Sequence, residues 1–219
     1  MSTAAAVTQA VLRRLTSLRA APVDDDLSAW ARRLASQDGF PLVGTGLVAA
    51  TYPALQWNAE RCARAGLGRP ATVVLTGLAV AAEHDRDVAA LETAVGAGLA
   101  AAAPLDGVPG DAVATVTVDL VGSAACAALL AGVPAAELSG VLDLAGTLLA
   151  VGAPGRADDL GARWAGHAAA AGWLAVQCFR SGLTAFDGAL EHTVATVAGA
   201  GGAGMARRTP VRTLLGALR

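Results

Sequence analysis

Small side chains carry almost all of the apolar character of this chain. Apolar residues make up 54% of the sequence, yet aromatics account for only 4%. Alanine and glycine supply the excess, in runs such as Ala100 to Ala103 and Ala168 to Gly172. Alanine is the strongest helix former, and small residues on a helix face let a neighbouring helix approach closely. A sheet would need more β-branched and aromatic residues. The expected fold class is therefore all-α, an Ala-rich helical bundle. A chain of 219 residues builds one full core or two small ones. Nothing in the sequence separates two, so residues 1–198 are expected to form a single all-helical domain. Residues 199–219 then read as a Gly-rich linker and a short C-terminal helix.

Apolar positions at helical spacing predict a helix over 3–20, and Asp24 to Asp26 offer an N-cap for a second over 26–36. The Gly39-Phe40-Pro41 break precedes an expected helix over about 43–65, and Pro70 suits the first turn of 70–83. Further helices are expected over 86–103, 115–131, 134–151, 158–181 and 184–198, with a loop at 104–111. Residues 112–136 are long enough to span a bilayer and hold one charge, Asp119. Alanine and glycine drive insertion weakly, and an aspartate near mid-span costs roughly 2.5–3.5 kcal/mol. The Gly132-Val133-Pro134 break shortens the usable helix further, so a buried helix of a soluble bundle is expected and no membrane partner.

All 16 basic residues are arginine, which excludes a Schiff-base lysine and a phosphate-loop lysine. The net charge is −2 without a basic run, so no nucleic-acid partner is expected. Cys62, Cys126 and Cys178 lie far apart with no CxxC spacing and are expected to stay reduced in a cytoplasmic protein. The first 20 residues lack the apolar stretch and small-residue cleavage site of a signal peptide. Three widely spaced histidines make a metal site unexpected, and no nucleophile elbow, HExxH or dinucleotide fingerprint is present. No cofactor is expected.

Three segments share an order with a known scaffold. ARWAGHAAAAGWLAVQCFRSGLTAFDGALE (162–191) begins with Arg163 and His167 four residues apart on one helix face, then turns at Gly182. Residues 54–103 and GSAACAALLAGVPAAELSGVLDLAGTLLAVG (122–152) precede it. Together they cover about two-thirds of the chain and resemble the helical domain of the MmgE/PrpD family, which includes methylcitrate dehydratase and cis-aconitate decarboxylase. The resemblance implies that helical domain without the family's smaller lid domain. It also implies homodimerisation and cofactor-independent lyase chemistry, in which a proton leaves next to an activated carbon.

The family's acid–base groups are replaced. Its Asp-rich run falls on Gln56 to Glu60, and the His of its His-Pro pair on Arg69, with Pro70 kept. A second active-site His falls near Val113, its Lys near Gly161 or Ala162, and the following His near Trp164. A polycarboxylate would lack compensating cations there, so a larger and more apolar small molecule is the expected substrate. Glu60, Asp119 and His167 are the candidate catalytic groups for moving a proton. Each also has a purely structural role open to it: an ion pair, a helix cap or an ordinary core hydrogen bond. Trp57, Asn58 and Trp164 are candidate substrate-binding residues, with Arg61, Arg69 and Arg163 holding one anionic group through forked hydrogen bonds. Three functions stay open at this point. One is elimination, as by a dehydratase, on a specialised-metabolite intermediate. A second is cyclisation or isomerisation of an apolar, polyketide-like intermediate. The third is an inactive subunit that binds a ligand or a partner.

Overall fold

The helices that start at Thr3 and Val88 begin where the sequence supplies a side-chain partner for a free backbone N–H. The Ser2 hydroxyl accepts the Ala5 N–H at 3.1 Å, and the Asp87 carboxylate accepts the Ala90 N–H at 2.8 Å. A computed structural model describes residues 2–23, 25–105, 111–149 and 157–196. Its helices are α1 (Thr3–Ala20), α2 (Asp25–Leu34), α3 (Thr51–Arg64), α4 (Arg69–Glu83), α5 (Val88–Ala102), α6 (Asp111–Leu130), α7 (Leu138–Thr147) and α8 (Ala157–Arg180). A further helical segment covers 189–196. The strands among the described residues are β1 (Phe40–Pro41) and β2 (Val48–Ala49), a two-residue antiparallel pair. The chain is all-α, as its composition dictates.

Helix α6 lies at the centre, packed against α4, α5, α7 and α8, and nearly every residue from Thr117 to Leu130 is buried. A helix apolar all round is stable only in such a position. Glycine sets how closely its neighbours come. A methyl group on Gly172 of α8 would sit 2.6 Å from the Ser123 Cβ of α6. One on Gly98 of α5 would sit 2.5 Å from the Gly122 carbonyl oxygen. Across α4 and α8, the Thr76 hydroxyl lies 3.1 Å from the Thr72 carbonyl and 3.2 Å from that of Ala169. Among the described residues, Val88–Leu105 is long and apolar enough to cross a membrane, with mean hydropathy 1.5. In the fold it packs on α1, α4 and α6.

Three expected helices are shortened. The helix expected from 43 begins at Thr51, because Gly39, Gly44 and Gly46 all have positive φ (143°, 87° and 71°), which no helix accommodates. At Gly39 the Ala49 carbonyl oxygen occupies the space a Cβ would need. These residues form a hairpin with α2, around a small apolar cluster that includes Ala31, Leu42, Ala54 and Trp57. The helix expected over 134–151 opens as a 3₁₀ turn, Ala135–Glu137, and becomes α-helical only at Leu138. The segment expected from 184 turns first at Asp187 and Gly188 (φ 81°) and is helical from 189. The Gly-rich linker and C-terminal helix expected over 199–219 lie outside the described residues.

Candidate functional site

The i, i+4 rhythm of α3 places Gln56, Glu60 and Arg64 on one face. Opposite them α2 presents Leu27, Trp30 and Arg33 at i, i+3 spacing, and the first turns of α8 add Arg163. Between these three helices lies a surface cleft of about 710 Å³. Its most unusual member is Glu60, a carboxylate only 6% exposed. Glu60 Oε1 accepts hydrogen bonds from Arg64 Nε at 3.0 Å and Nη2 at 2.6 Å. Arg163 Nε approaches the same oxygen at 4.0 Å. The two arginine side chains are 44% and 66% exposed, so their guanidinium groups also face water. The cleft therefore joins a buried acid to cations that an incoming anion can reach.

The remaining candidates lie away from this cleft. Asp119, 3% exposed on α6, pairs with Arg69 at 3.2 Å, so these two bind each other between α6 and α4. His167 Nε2–H donates to the Leu148 carbonyl at 2.9 Å, which joins α8 to the end of α7. Arg163 and His167 share a helix face as the spacing predicts, yet they reach different neighbours. Trp57 Nε1–H donates to the Val43 carbonyl at 3.2 Å. Asn58 accepts the Val43 N–H at 2.8 Å and donates to the Pro41 carbonyl at 2.9 Å, so the pair fastens the hairpin onto α3. Arg61 Nη2 donates to the Ala21 carbonyl at 2.8 Å and the Pro22 carbonyl at 3.1 Å, holding the α1–α2 connection. Trp164 packs against the main core.

Sequence reasoning passed over Trp30, Arg33 and Arg64. The signal for Arg64 was present, since it follows Glu60 by four residues, the standard spacing of a helical ion pair. Trp30 stacks on Trp57 with ring centroids 5.2 Å apart and planes tilted by 51°, a contact that only the tertiary fold creates. Another buried carboxylate, Asp143, also went unremarked. Its oxygens accept the Gly188 N–H at 3.1 Å and the Leu190 N–H at 3.0 Å, capping the helical segment that follows. Burial raises its pKa above the ordinary carboxylate range, against the lowering effect of those two N–H groups; nearby Glu191 and Asp187 add to the rise. Burial also pushes the Cys62 thiol up to about 11, partly offset by Arg61, and Cys126 to about 12. All three cysteines are free thiols, and these two are not nucleophiles near neutral pH.

Compared with known proteins, the chain matches no family model, no curated protein and no solved structure.

Proposed function

We propose that the chain is a divergent, cofactor-independent lyase on an MmgE/PrpD-like helical scaffold, working in the α2–α3–α8 cleft. The observation that carries this reading is a buried carboxylate, Glu60, lining a ligand-sized cleft ringed by guanidinium groups. In support, α3 and the start of α8, two of the family-like segments, meet at that cleft through Glu60 and Arg163. Arg163 or Arg33 holds the anionic group of the substrate. Glu60 takes the proton from the neighbouring carbon, and the electron pair of that bond forms the new double bond. Hydroxide departs and takes a proton from solvent to give water, and Glu60 returns its own proton to solvent.

The lining argues against an apolar substrate for cyclisation, because Arg33, Gln56, Glu60, Arg64 and Arg163 outweigh Leu27, Ala29 and Trp30. Ligand binding without turnover is the second reading. It is favoured by the engagement of Asp119 and His167 elsewhere, which leaves Glu60 as the one proposed proton carrier in the cleft. Exchange in D₂O separates the two even while the substrate is unidentified. A panel of hydroxy acids is incubated with the protein, and deuterium uptake or loss of water is followed by mass spectrometry. The wild-type protein should exchange or dehydrate at least one acid, and Glu60→Gln should lose about 10²-fold or more of that rate. Equal rates for the two proteins would refute the role of Glu60.

A further inference from the structure

We infer that the ligand of this cleft is a planar aromatic acid, with its ring on Trp30 and its carboxylate or phosphate between Arg33 and Arg163. The inference rests on the cleft being the ligand site, as proposed above, and adds the class of molecule.

Charge gives the first constraint. Arg33, Arg64 and Arg163 face a single carboxylate, Glu60, and Arg64 is already bound to it through two nitrogens. Arg163 only approaches that carboxylate at 4.0 Å, and among the described residues no carboxylate pairs with Arg33. Two guanidinium groups, one from α2 and one from α8, are thus available across the cleft. Such forks match the two oxygens of a carboxylate or a phosphate, and they reject a cation.

Shape gives the second. Trp30 is the largest apolar group in the lining, and its ring is braced against Trp57, whose own N–H is fixed to Val43. A braced indole is a rigid platform that loses little freedom when a ligand stacks on it. The flat guanidinium planes beside it stack on aromatic rings as well. Leu27 and Ala29 add little apolar area, so an aliphatic tail finds no matching wall. The volume, about 710 Å³, lies within the range of roughly 300–1,000 Å³ usual for small-molecule sites, enough for a two-ring acid.

The test uses four probes on the full chain: 1-naphthoate, 1-naphthyl phosphate, 1-naphthylmethylammonium and inorganic phosphate. Binding is read by calorimetry and by quenching of tryptophan fluorescence. Naphthoate or naphthyl phosphate should bind, and the tighter of the two names the head group. The ammonium and inorganic phosphate should each bind about tenfold or more weakly. Arg33→Gln combined with Arg163→Gln should weaken the naphthyl acid by about tenfold or more. Both positions are exposed, so the fold should survive, which circular dichroism checks. Trp30→Leu should weaken binding, and Trp30→Phe should restore part of it. The inference is overturned if neither naphthyl acid binds, if inorganic phosphate binds as tightly, or if the double variant keeps full affinity. Glu60→Gln separates the two readings. If it keeps naphthyl binding but the wild-type protein shows no Glu60-dependent exchange, the lyase reading falls and the ligand class stands. If exchange depends on Glu60 while naphthyl acids fail to bind, the reverse holds.

Discussion

Asp143 offers the sharpest test of how this bundle is held together at its C-terminal side. Its two oxygens accept the backbone N–H groups of Gly188 and Leu190, and the second of these bonds is buried. Asp143→Ala leaves both donors without a partner. Stranding a buried donor costs about 1–3 kcal/mol, and loss of a helix cap about 0.5–2 kcal/mol; these overlap here, because the cap and the donors are the same groups. Relief of the buried charge offsets part of the loss, so a net destabilisation of about 1–2 kcal/mol is expected. Asp143→Asn keeps one acceptor and removes the charge, and should cost about 1 kcal/mol. Urea unfolding followed by circular dichroism at 222 nm gives both values. The pH dependence carries the sign. Because burial raises the folded-state pKa of Asp143, the folded protein holds this proton more tightly than the unfolded chain does. Its contribution is full below the ordinary aspartate pKa, falls as pH rises through the elevated folded value, and is flat beyond. The stability of wild type minus that of Asp143→Asn should therefore decline across that window. A difference that grows with pH, or an Asp143→Ala protein within about 0.5 kcal/mol of wild type, would refute the reasoning.

Three further tests probe the packing and the thiols. Gly172→Val forces a Cβ to within 2.6 Å of the Ser123 Cβ and 2.9 Å of the Ala124 nitrogen. It should destabilise by about 1–3 kcal/mol or more and lower the melting temperature accordingly. Gly161→Ala, where nothing lies within 4 Å, should raise stability by about 0.5–1 kcal/mol in the same melt. With Cys62 near 11 and Cys126 near 12, a thiolate reagent at pH 8 should label only Cys178 rapidly. The other two thiols should react only after denaturant is added, as counted by absorbance. Fast labelling of two or more thiols in the native protein would contradict the burial that sets those values.

The helical class and most helix positions were legible because composition and capping act locally. Pro70, read as a first-turn proline, falls in the first turn of α4, and the helix expected from 86 begins at Val88. The hairpin at 40–49 was not legible in the same way. Its sequence continues the apolar rhythm of α3, and only the positive φ at Gly39, Gly44 and Gly46 separates the two. A glycine does not announce which region of φ it will occupy. The turn before 189 was missed for a related reason, since its anchor, Asp143, lies 45 residues before Gly188. In the site, Glu60 was singled out because it falls on the Asp-rich run of the family that the sequence resembles, within Gln56 to Glu60. Its partner Arg64 was less conspicuous than Arg61 and Arg69, which lie nearer in sequence or motif but turn to other carbonyls and carboxylates.

The same small residues that make the fold predictable also decide where chemistry can sit. Where α5, α6 and α8 cross, glycine and alanine bring backbones so close that an added methyl would meet a neighbouring backbone or Cβ atom at 2.5–2.6 Å. At these crossings the space between helices is filled by the protein's own atoms, and Asp119 and Thr76 bond to groups packed against them. Space opens where larger side chains hold elements apart. Trp30 and Trp57 do this between α2 and α3, at the edge where α2 packs on α3. Glu60 lies on the boundary between these regimes, buried by the bundle on one side and reached by arginines from water on the other. A carboxylate so placed touches both the scaffold and the cleft. That position, at the edge of the bundle, is why the proposed function is placed in the cleft.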